Sequence, residues 1–346
     1  MLFLVAGLPG RFAEWCDAVT AGLVETILGP TQIVRANTLD EISRGLLRAG
    51  PPHAVLASRR PGGRVRTALI AARRRFIVAL DDPRIALKQV IAENRITIAD
   101  GIRAVAGSCA GVAAYISASG ALVLDAEAAN RNSEAAAAAI AEHFQLDADK
   151  TSVAEIVCQL ANRGITAKRD DALEWWLNLD DGTKSLAIGA FGHFVNSFRA
   201  EDRQPVYWAP DLFFQGDQAG VPALGSIDIT GRARCLVHGP NIMVLPGHWL
   251  LTLELVFSPE AADYEFAIEI LAGVRLSYRL IRPQRGGLME TRFEFVVDEA
   301  GEHPVDIRLS SQRAAFDGTV RLEKATLLPQ PMPKTQFGVS LAVAER

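Results

Sequence analysis

The sequence predicts two architectures in one chain, an α/β region followed by an all-β region. Residues 1–150 alternate short apolar runs with helix-like stretches, whereas from about residue 205 apolar and polar residues alternate with a period of two. A length of 346 residues with 49% hydrophobic residues is enough for two cores. We therefore expect a mainly parallel sheet with helices on both faces, followed by an antiparallel, jelly-roll-like β-sandwich.

The first region, residues 1–150, consists of strand and helix signals in turn. The predicted strands are MLFLVAG, QIVRA, HAVLAS, RFIVAL and ALVLD. The predicted helices cover residues 12–27, 39–47, 64–72, 83–92, 96–116 and 133–144. Short apolar strands that alternate with helices are typical of a parallel sheet covered on both faces.

Residues 151–203 form a predicted helical connector, with helices over residues 153–162, 172–179 and 185–198. The second of these helices carries the Trp175–Trp176 pair. Large aromatic side chains bury much apolar area, so we expect this pair to pack between the two regions.

The second region, residues 204–329, shows the period of two most clearly around one run of alternating apolar residues, Trp249, Leu251, Leu253, Leu255 and Phe257. Such alternation indicates strands with one buried face and one solvent-exposed face. Pro246–Gly247, Gly286–Gly287 and Asp317–Gly318 are turn signals between strands. We expect about eight strands, and an extended tail over residues 330–346.

Composition excludes several classes of function. The net charge is −4 and the pI about 5.9, which argues against a nucleic-acid partner. The four cysteines are widely spaced and the six histidines lack metal-ligand spacing, so we expect reduced thiols and no metal. We find no signal-peptide pattern and no run of the roughly 20 apolar residues that a membrane span needs. These features predict a cytoplasmic protein.

The first 150 residues resemble the P-loop sulfotransferase family at three places. The family's first loop reads G-x-P-R-S-G-T-T-W, and here Gly7, Pro9 and Trp15 are in register with it. FIVALDDPRIALKQ resembles the family's R-D-P-R-D signature, with Arg84 at its second arginine. ALVLDAEAANRNSEAAAAAIAEHFQLD resembles its late strand and helix.

The resemblance implies a donor, 3′-phosphoadenosine 5′-phosphosulfate, but the chain departs from both phosphate-binding signatures. In the first loop, the family's basic residue is Gly10, its glycine is Phe12 and its second threonine is Glu14. We expect Phe12 to obstruct a phosphate and Glu14 to repel it. In the second signature, the 3′-phosphate positions are Asp81 and Gln89. Two independent losses predict a domain without donor binding, without catalytic residues and without a cofactor.

An active transferase with an altered loop is the alternative. It would hold the donor through residues of the two signatures, namely Gly7, Pro9, Gly10, Arg11 and Arg84. Seven arginines within residues 59–75 would add positive charge, although the same arginines are also compatible with a solvated loop and helix face.

The second region resembles β-sandwich modules of bacterial glycosyltransferases and polysaccharide-biosynthesis proteins. This resemblance is one of general sequence character and not of a strict motif. Sandwiches that bind sugars use exposed aromatic rings for stacking and polar side chains for hydroxyl groups. The candidate ligand-binding residues are Tyr207, Trp208, Asn241, His248, Tyr264 and Tyr278.

Three hypotheses follow from these patterns. The first is a non-catalytic protein of bacterial surface-polysaccharide biosynthesis, whose α/β domain is a scaffold and whose sandwich binds a glycan or a biosynthetic enzyme. The second is the active transferase with the altered loop. The third is a structural subunit of a homo- or hetero-oligomer, assembled through the sandwich and the Trp175–Trp176 helix.

Overall fold

The computed structural model describes residues 1–47, 50–71, 74–167, 172–198, 204–298 and 303–331. The first region contains five strands: β1 (Leu2–Gly7), β2 (Thr31–Arg35), β3 (His53–Ser58), β4 (Phe76–Leu80) and β5 (Ala121–Asp125). Its helices are α1 (Arg11–Leu28), α2 (Leu39–Leu47), α3 (Gly63–Ala71), α4 (Pro83–Asn94), α5 (Ile98–Ile116), α6 (Ala126–Arg131) and α7 (Ser133–Phe144). In this sheet, sheet A, all strand pairs are parallel, in the order β2-β3-β1-β4-β5.

The predicted parallel sheet with helices on both faces is confirmed. Leu4 and Val5 are neighbours on β1, and their side chains enter different cores. Leu4 packs in the core that contains α4 and α5, whereas Val5 packs in the core that contains α1 and α7. Because successive side chains of a strand point to opposite faces, an unbroken apolar run such as FIVAL fits only a strand that is covered on both sides.

Three helices follow: α8 (Lys150–Asn162), α9 (Ala172–Leu177) and α10 (Asp181–Phe198). Helix α8 lies against α1, where a Cβ on Gly22 would be 3.0 Å from Ile156. Trp176 is buried against α4, and α10 packs between α5 and the second region. Trp176 is thus packed on the first region, whereas contact of the Trp175–Trp176 pair with the second region stays a prediction.

The second region is an antiparallel sandwich. Its strands are β6 (Val206–Trp208), β7 (Phe214–Gln215), β8 (Ile227–Asp228), β9 (Cys235–Ile242), β10 (Gly247–Phe257), β11 (Phe266–Ala272), β12 (Val274–Ile281), β13 (Gly287–Val297), β14 (Val305–Ser311) and β15 (Thr319–Gln330). Sheet B has the order β13-β10-β15-β6, with β8 on β15, and sheet C has the order β12-β11-β14-β9-β7. The antiparallel sandwich is confirmed.

Within the described residues the sandwich has ten strands, more than the eight that we expected. Three of the ten, β6, β7 and β8, are only two or three residues long and are too short to show a period of two. The long strand β10 alternates buried and half-buried residues along its whole length, as the sequence predicts. Residues 332–346 of the predicted tail lie outside the described residues.

The two regions share one continuous core that runs from the α4–α5 face of the first sheet into the sandwich. Arg103 on α5 reaches across, donating from Nε to the carbonyl of Pro240 (2.7 Å) and from Nη2 to the carbonyl of Leu212 (2.7 Å). No helix in the described ranges is both long and apolar enough to cross a membrane.

Candidate functional site

The loop that resembles a donor site joins β1 to α1 across residues 8–10. Gly7, at the end of β1, is packed so tightly that a Cβ there would lie 2.8 Å from the carbonyl oxygen of Ala79 on β4. The N–H of Leu8 donates to that same oxygen at 3.3 Å. Gly10 precedes α1 in an extended conformation, and no side chain caps the helix. The loop is therefore held against β4, and its glycine at residue 7 is needed for packing.

Two carboxylates lie near the start of α1. The Oδ2 atom of Asp81 lies 3.7 Å from the position that a Cβ on Gly10 would occupy. Glu14 is in the first turn of α1. A helix N-terminus carries a partial positive charge and attracts anions, which is why a phosphate can bind there. In this chain two carboxylates already supply that negative charge.

The structure corrects our expectation that Phe12 obstructs the loop. Its side chain does not obstruct the loop, because it is buried in the core and stacks on Trp15 with the ring centroids 6.0 Å apart. Instead, the residue that faces the loop is Asp81, which directly follows β4.

A cavity of ≈ 330 Å³ opens beside this loop, at the carboxyl ends of β1, β2 and β3. Its lining is polar and carries three carboxylates and two guanidinium groups. The lining residues are Pro9, Gly10, Glu14, Arg35, Ala36, Asn37, Glu41, Ala57, Arg59, Gln89 and Glu93. Ligands of open α/β sheets bind at this edge, so the cavity is where the fold would place a small molecule.

One of the two arginines of the cavity is engaged with a buried carboxylate. Arg59 forms an ion pair with Asp17, a residue of α1 that is only 2% exposed. Burial raises the pKa of Asp17 to about 6, although the positive charge of Arg59 opposes this effect. One atom of each partner, Asp17 Oδ1 and Arg59 Nη1, is buried without a hydrogen bond. Arg59 therefore compensates a buried carboxylate inside the protein.

Polar side chains after β2 organise the opposite wall of the cavity. Asn37 Oδ1 accepts from Ser58 Oγ (3.0 Å) and from the N–H of Arg60 (2.8 Å). Glu41 Oε2 accepts from the N–H of Asn37 (2.7 Å), and this bond lowers the pKa of Glu41. Thr38 and Glu41 together form a capping box at the start of α2. These residues were not among those predicted from the sequence, although polar residues directly after a strand can indicate a binding site at that edge of the sheet.

Of the two arginines of the altered-loop alternative, Arg84 is held by Asp82. Arg84 donates from Nε to both carboxylate oxygens of Asp82, at 2.9 Å each, and its guanidinium lies 5.7 Å from the Trp176 ring centroid. Asp82 also caps α4, since it accepts from the N–H of Arg84. Arg11 is exposed at the first position of α1.

The arginines of residues 59–75 contact different partners. Arg59 pairs with Asp17, whereas Arg75 donates to the carbonyl of His143 at 2.7 Å. The guanidinium of Arg60 packs over Gly107 on α5. Arg73 lies outside the described residues. Arg59, Arg60 and Arg75 therefore contact three different parts of the fold.

The predicted glycan-binding residues are scattered over the sandwich. Trp208 is a correction: its side chain is fully buried, and a ring without an exposed face cannot stack on a sugar. Tyr207 on sheet B and Tyr278 on sheet C are both about half exposed, at 50% and 45%. Because they lie on different sheets, they do not belong to one site.

Two of the other three candidates, His248 and Tyr264, have hydrogen-bond partners in the protein. His248 Nδ1 is 3.0 Å from the carbonyl oxygen of Pro331, and the hydroxyl of Tyr264 accepts from the N–H of Phe316 at 3.1 Å. Asn241 follows a Gly–Pro pair on β9 with a positive φ of 59°. Among the described residues, no group of three or more His, Cys, Asp or Glu side chains is arranged to hold a metal ion.

Comparisons with known proteins give remote similarities. No family model matches the sequence, and the search of curated proteins gives no match. Mouse sulfotransferase SULT7A1 complexed with PAP is 11% identical over 58% of this chain and 85% of that chain, with a TM-score of 0.42.

Two carbohydrate-binding modules are also similar to part of the chain. The CBM36-1 domain of a xylanase from the hindgut metagenome of Trinervitermes trinervoides is 10% identical over 37% of this chain and 100% of that one (TM-score 0.27). The family 35 module of Clostridium thermocellum is 9% identical over 37% of this chain and 99% of that one (TM-score 0.26). The fold assignment rests on the strand order and pairing described above.

Proposed function

We propose that this protein is a non-catalytic glycan-binding protein, in which a sulfotransferase-like α/β domain is a scaffold and the β-sandwich is the binding module. The single observation that carries the non-catalytic part is the carboxylate of Asp81 beside Gly10. It places a negative charge at the N-terminus of α1, where the phosphosulfate group of the donor would bind. Glu14, one turn into the helix, adds a second negative charge.

A phosphate that approached this loop would meet two carboxylates, and like charges a few ångströms apart repel strongly where water is excluded. Two of the nearby arginines are held by other carboxylates. Arg59 is paired with Asp17 and Arg84 with Asp82, so neither guanidinium is directed at the loop.

The place of the protein in the cell belongs to the same proposal. All four cysteines are free thiols, which supports a reducing, cytoplasmic compartment. The resemblance of the sandwich to modules of bacterial polysaccharide biosynthesis supports a role in that process, with a glycan or a biosynthetic enzyme as the partner.

Calorimetric titration with adenosine 3′,5′-bisphosphate, the product half of the sulfate donor, tests the proposal. At low ionic strength, where electrostatic attraction is strongest, we expect no binding by the wild-type protein. The double variant Asp81→Asn/Glu14→Gln is the matched comparison, because it keeps the shapes of both side chains and removes their charges. We expect this variant to bind more tightly than the wild type. Micromolar binding by the wild type would instead favour the active transferase.

A further inference from the structure

Strand pairing in sheet C brings five side chains into one row on the outer face of the sandwich. Register places Glu269 opposite both Tyr278 and Arg308, and places His238 opposite both Arg308 and Phe214. The row thus crosses all five strands, from β12 to β7. Four inter-strand spacings give it a length of about 19 Å.

The outward direction of the row follows from burial along the strands. On β11 the neighbours of Glu269, which are Ile268 and Ile270, are fully buried in the core. On β14 the neighbours of Arg308, which are Ile307 and Leu309, are buried as well. Because side chains alternate between the two faces of a strand, Glu269 and Arg308 lie on the outer face.

The charges of this face are already paired. Glu269 Oε1 accepts from Arg275 Nη1 at 3.2 Å, and Asp306 Oδ2 accepts from Arg308 Nε at 2.7 Å. Asp306 also accepts from the N–H of Gly239 at 2.9 Å, which fixes its position. The face therefore presents hydrogen-bond donors and acceptors side by side without a net field of either sign.

Aromatic rings stand at both ends of the row. Tyr278 is 45% exposed at one end, and its neighbour Leu280 is similarly exposed. Phe214 stands at the other end, where the guanidinium of Arg103 lies 4.4 Å from its ring centroid and the His238 ring lies 5.5 Å away. Helix α5, which carries Arg103, bounds the face at this end.

The geometry points to this row as a binding site for an extended, uncharged polysaccharide, an inference that rests on the proposed glycan-binding function. The aromatic ring of Tyr278 stacks on an apolar sugar face, and the paired side chains between the two ends exchange hydrogen bonds with hydroxyl groups. A polyanion gains nothing here, because each positive charge of the row has its own carboxylate. Sheet B lacks this arrangement: across its outer face Tyr207 lies in a row with Thr326, Thr252 and Arg292, and its only aromatic ring is at one end.

Affinity electrophoresis of the full chain in gels that contain dextran, galactan, xylan or dextran sulfate tests the inference. Tyr278→Ala and Glu269→Gln change the row, and Tyr207→Ala removes a ring of similar exposure from the opposite sheet. Thermal unfolding of each variant checks that it is folded. We expect the wild type to bind a neutral polysaccharide, Tyr278→Ala to weaken that binding about tenfold and Tyr207→Ala to leave it unchanged. Binding should persist in high salt.

The other outcomes overturn the inference in distinguishable ways. Loss of binding in Tyr207→Ala but in neither row variant would move the site to sheet B and leave the proposed function intact. Retention of dextran sulfate alone, abolished by salt, would exclude an uncharged ligand. Failure of the wild type to bind any of the four polymers would contradict the glycan-binding function itself. A wild-type dimer that dissociates in Tyr278→Ala, measured by light scattering, would identify a second copy of the chain as the occupant.

Discussion

The guanidinium of Arg103 lies 4.4 Å from the ring centroid of Phe214, and this contact joins the two regions of the chain. Arg103 also donates to the carbonyls of Leu212 and Pro240, and an ion pair with Asp100 on its own helix holds it in place. Since one side chain satisfies two carbonyls of the sandwich, its loss affects the packing of both regions.

Arg103→Met should therefore destabilise the protein by about 2 kcal/mol, because two buried acceptors lose a charged donor. Chemical denaturation measures this change. Arg292→Met is the matched control, since Arg292 is 66% exposed and pairs only with a neighbour on its own strand. Equal effects of the two substitutions would contradict the role assigned to Arg103.

Gly7→Ala should destabilise the protein by about 1–3 kcal/mol, because the new Cβ would lie 2.8 Å from the backbone oxygen of Ala79 and a backbone shift would be needed. Gly10→Ala is the control within the same loop. A Cβ at residue 10 meets nothing nearer than 3.7 Å, and the backbone there is extended. Its unfolding midpoint should stay close to that of the wild type.

Arg59→Met should leave the buried Asp17 carboxylate without its cation, at a cost of roughly 3 kcal/mol at pH 8. The loss should shrink at pH 5. Burial raises the pKa of Asp17 to about 6, and removal of Arg59 raises it further, so that the folded state takes up a proton that the unfolded state does not bind. Arg64→Met, at an exposed arginine of the same segment, provides the comparison. A loss that is independent of pH would contradict this account.

His193 should make the protein less stable in acid. It lies on α10 against the Trp249 ring, fully buried, and neither ring nitrogen has a hydrogen-bond partner among the described residues. Burial lowers its pKa to about 3, below the value near 6.5 of an unfolded histidine. Between these two values the unfolded state binds the extra proton, so stability is complete above about pH 6.5 and falls by up to roughly 1.4 kcal/mol per pH unit towards pH 3.

His193→Leu should flatten that dependence, because leucine has no proton to bind. Denaturant unfolding at pH 4, 5, 6 and 7 gives the slope for the variant and for the wild type. His238→Leu is a control, since His238 is only partly buried on the outer face of sheet C. If the slope of His193→Leu matched that of the wild type, another group would be responsible for the acid sensitivity.

Much of the fold could be predicted because it depends on local patterns. The unbroken apolar run FIVAL indicates a strand that is buried on both faces, as in a covered parallel sheet. The alternation along residues 249–257 indicates a strand that is buried on one face, as in a sandwich. The short strands β6, β7 and β8 escaped prediction, since two or three residues carry no periodicity.

The sites depended on contacts between distant residues. Trp208 is an aromatic residue next to the exposed Tyr207, and only the pairing of β6 with β15 decides which of the two rings faces the core. The row from Tyr278 to Phe214 likewise depends on the register of four strand pairs, which the alternation of any one strand does not specify.

The sequence by itself determined the two architectures and the departures from the donor signatures that it resembles, because both depend on neighbouring residues such as those from Gly7 to Glu14. The tertiary structure alone decided that Asp81 faces Gly10 and that Arg59 compensates Asp17. The physical reason is that electrostatic effects depend on the distance in space between two charges, and that distance is set by how strands and helices pack.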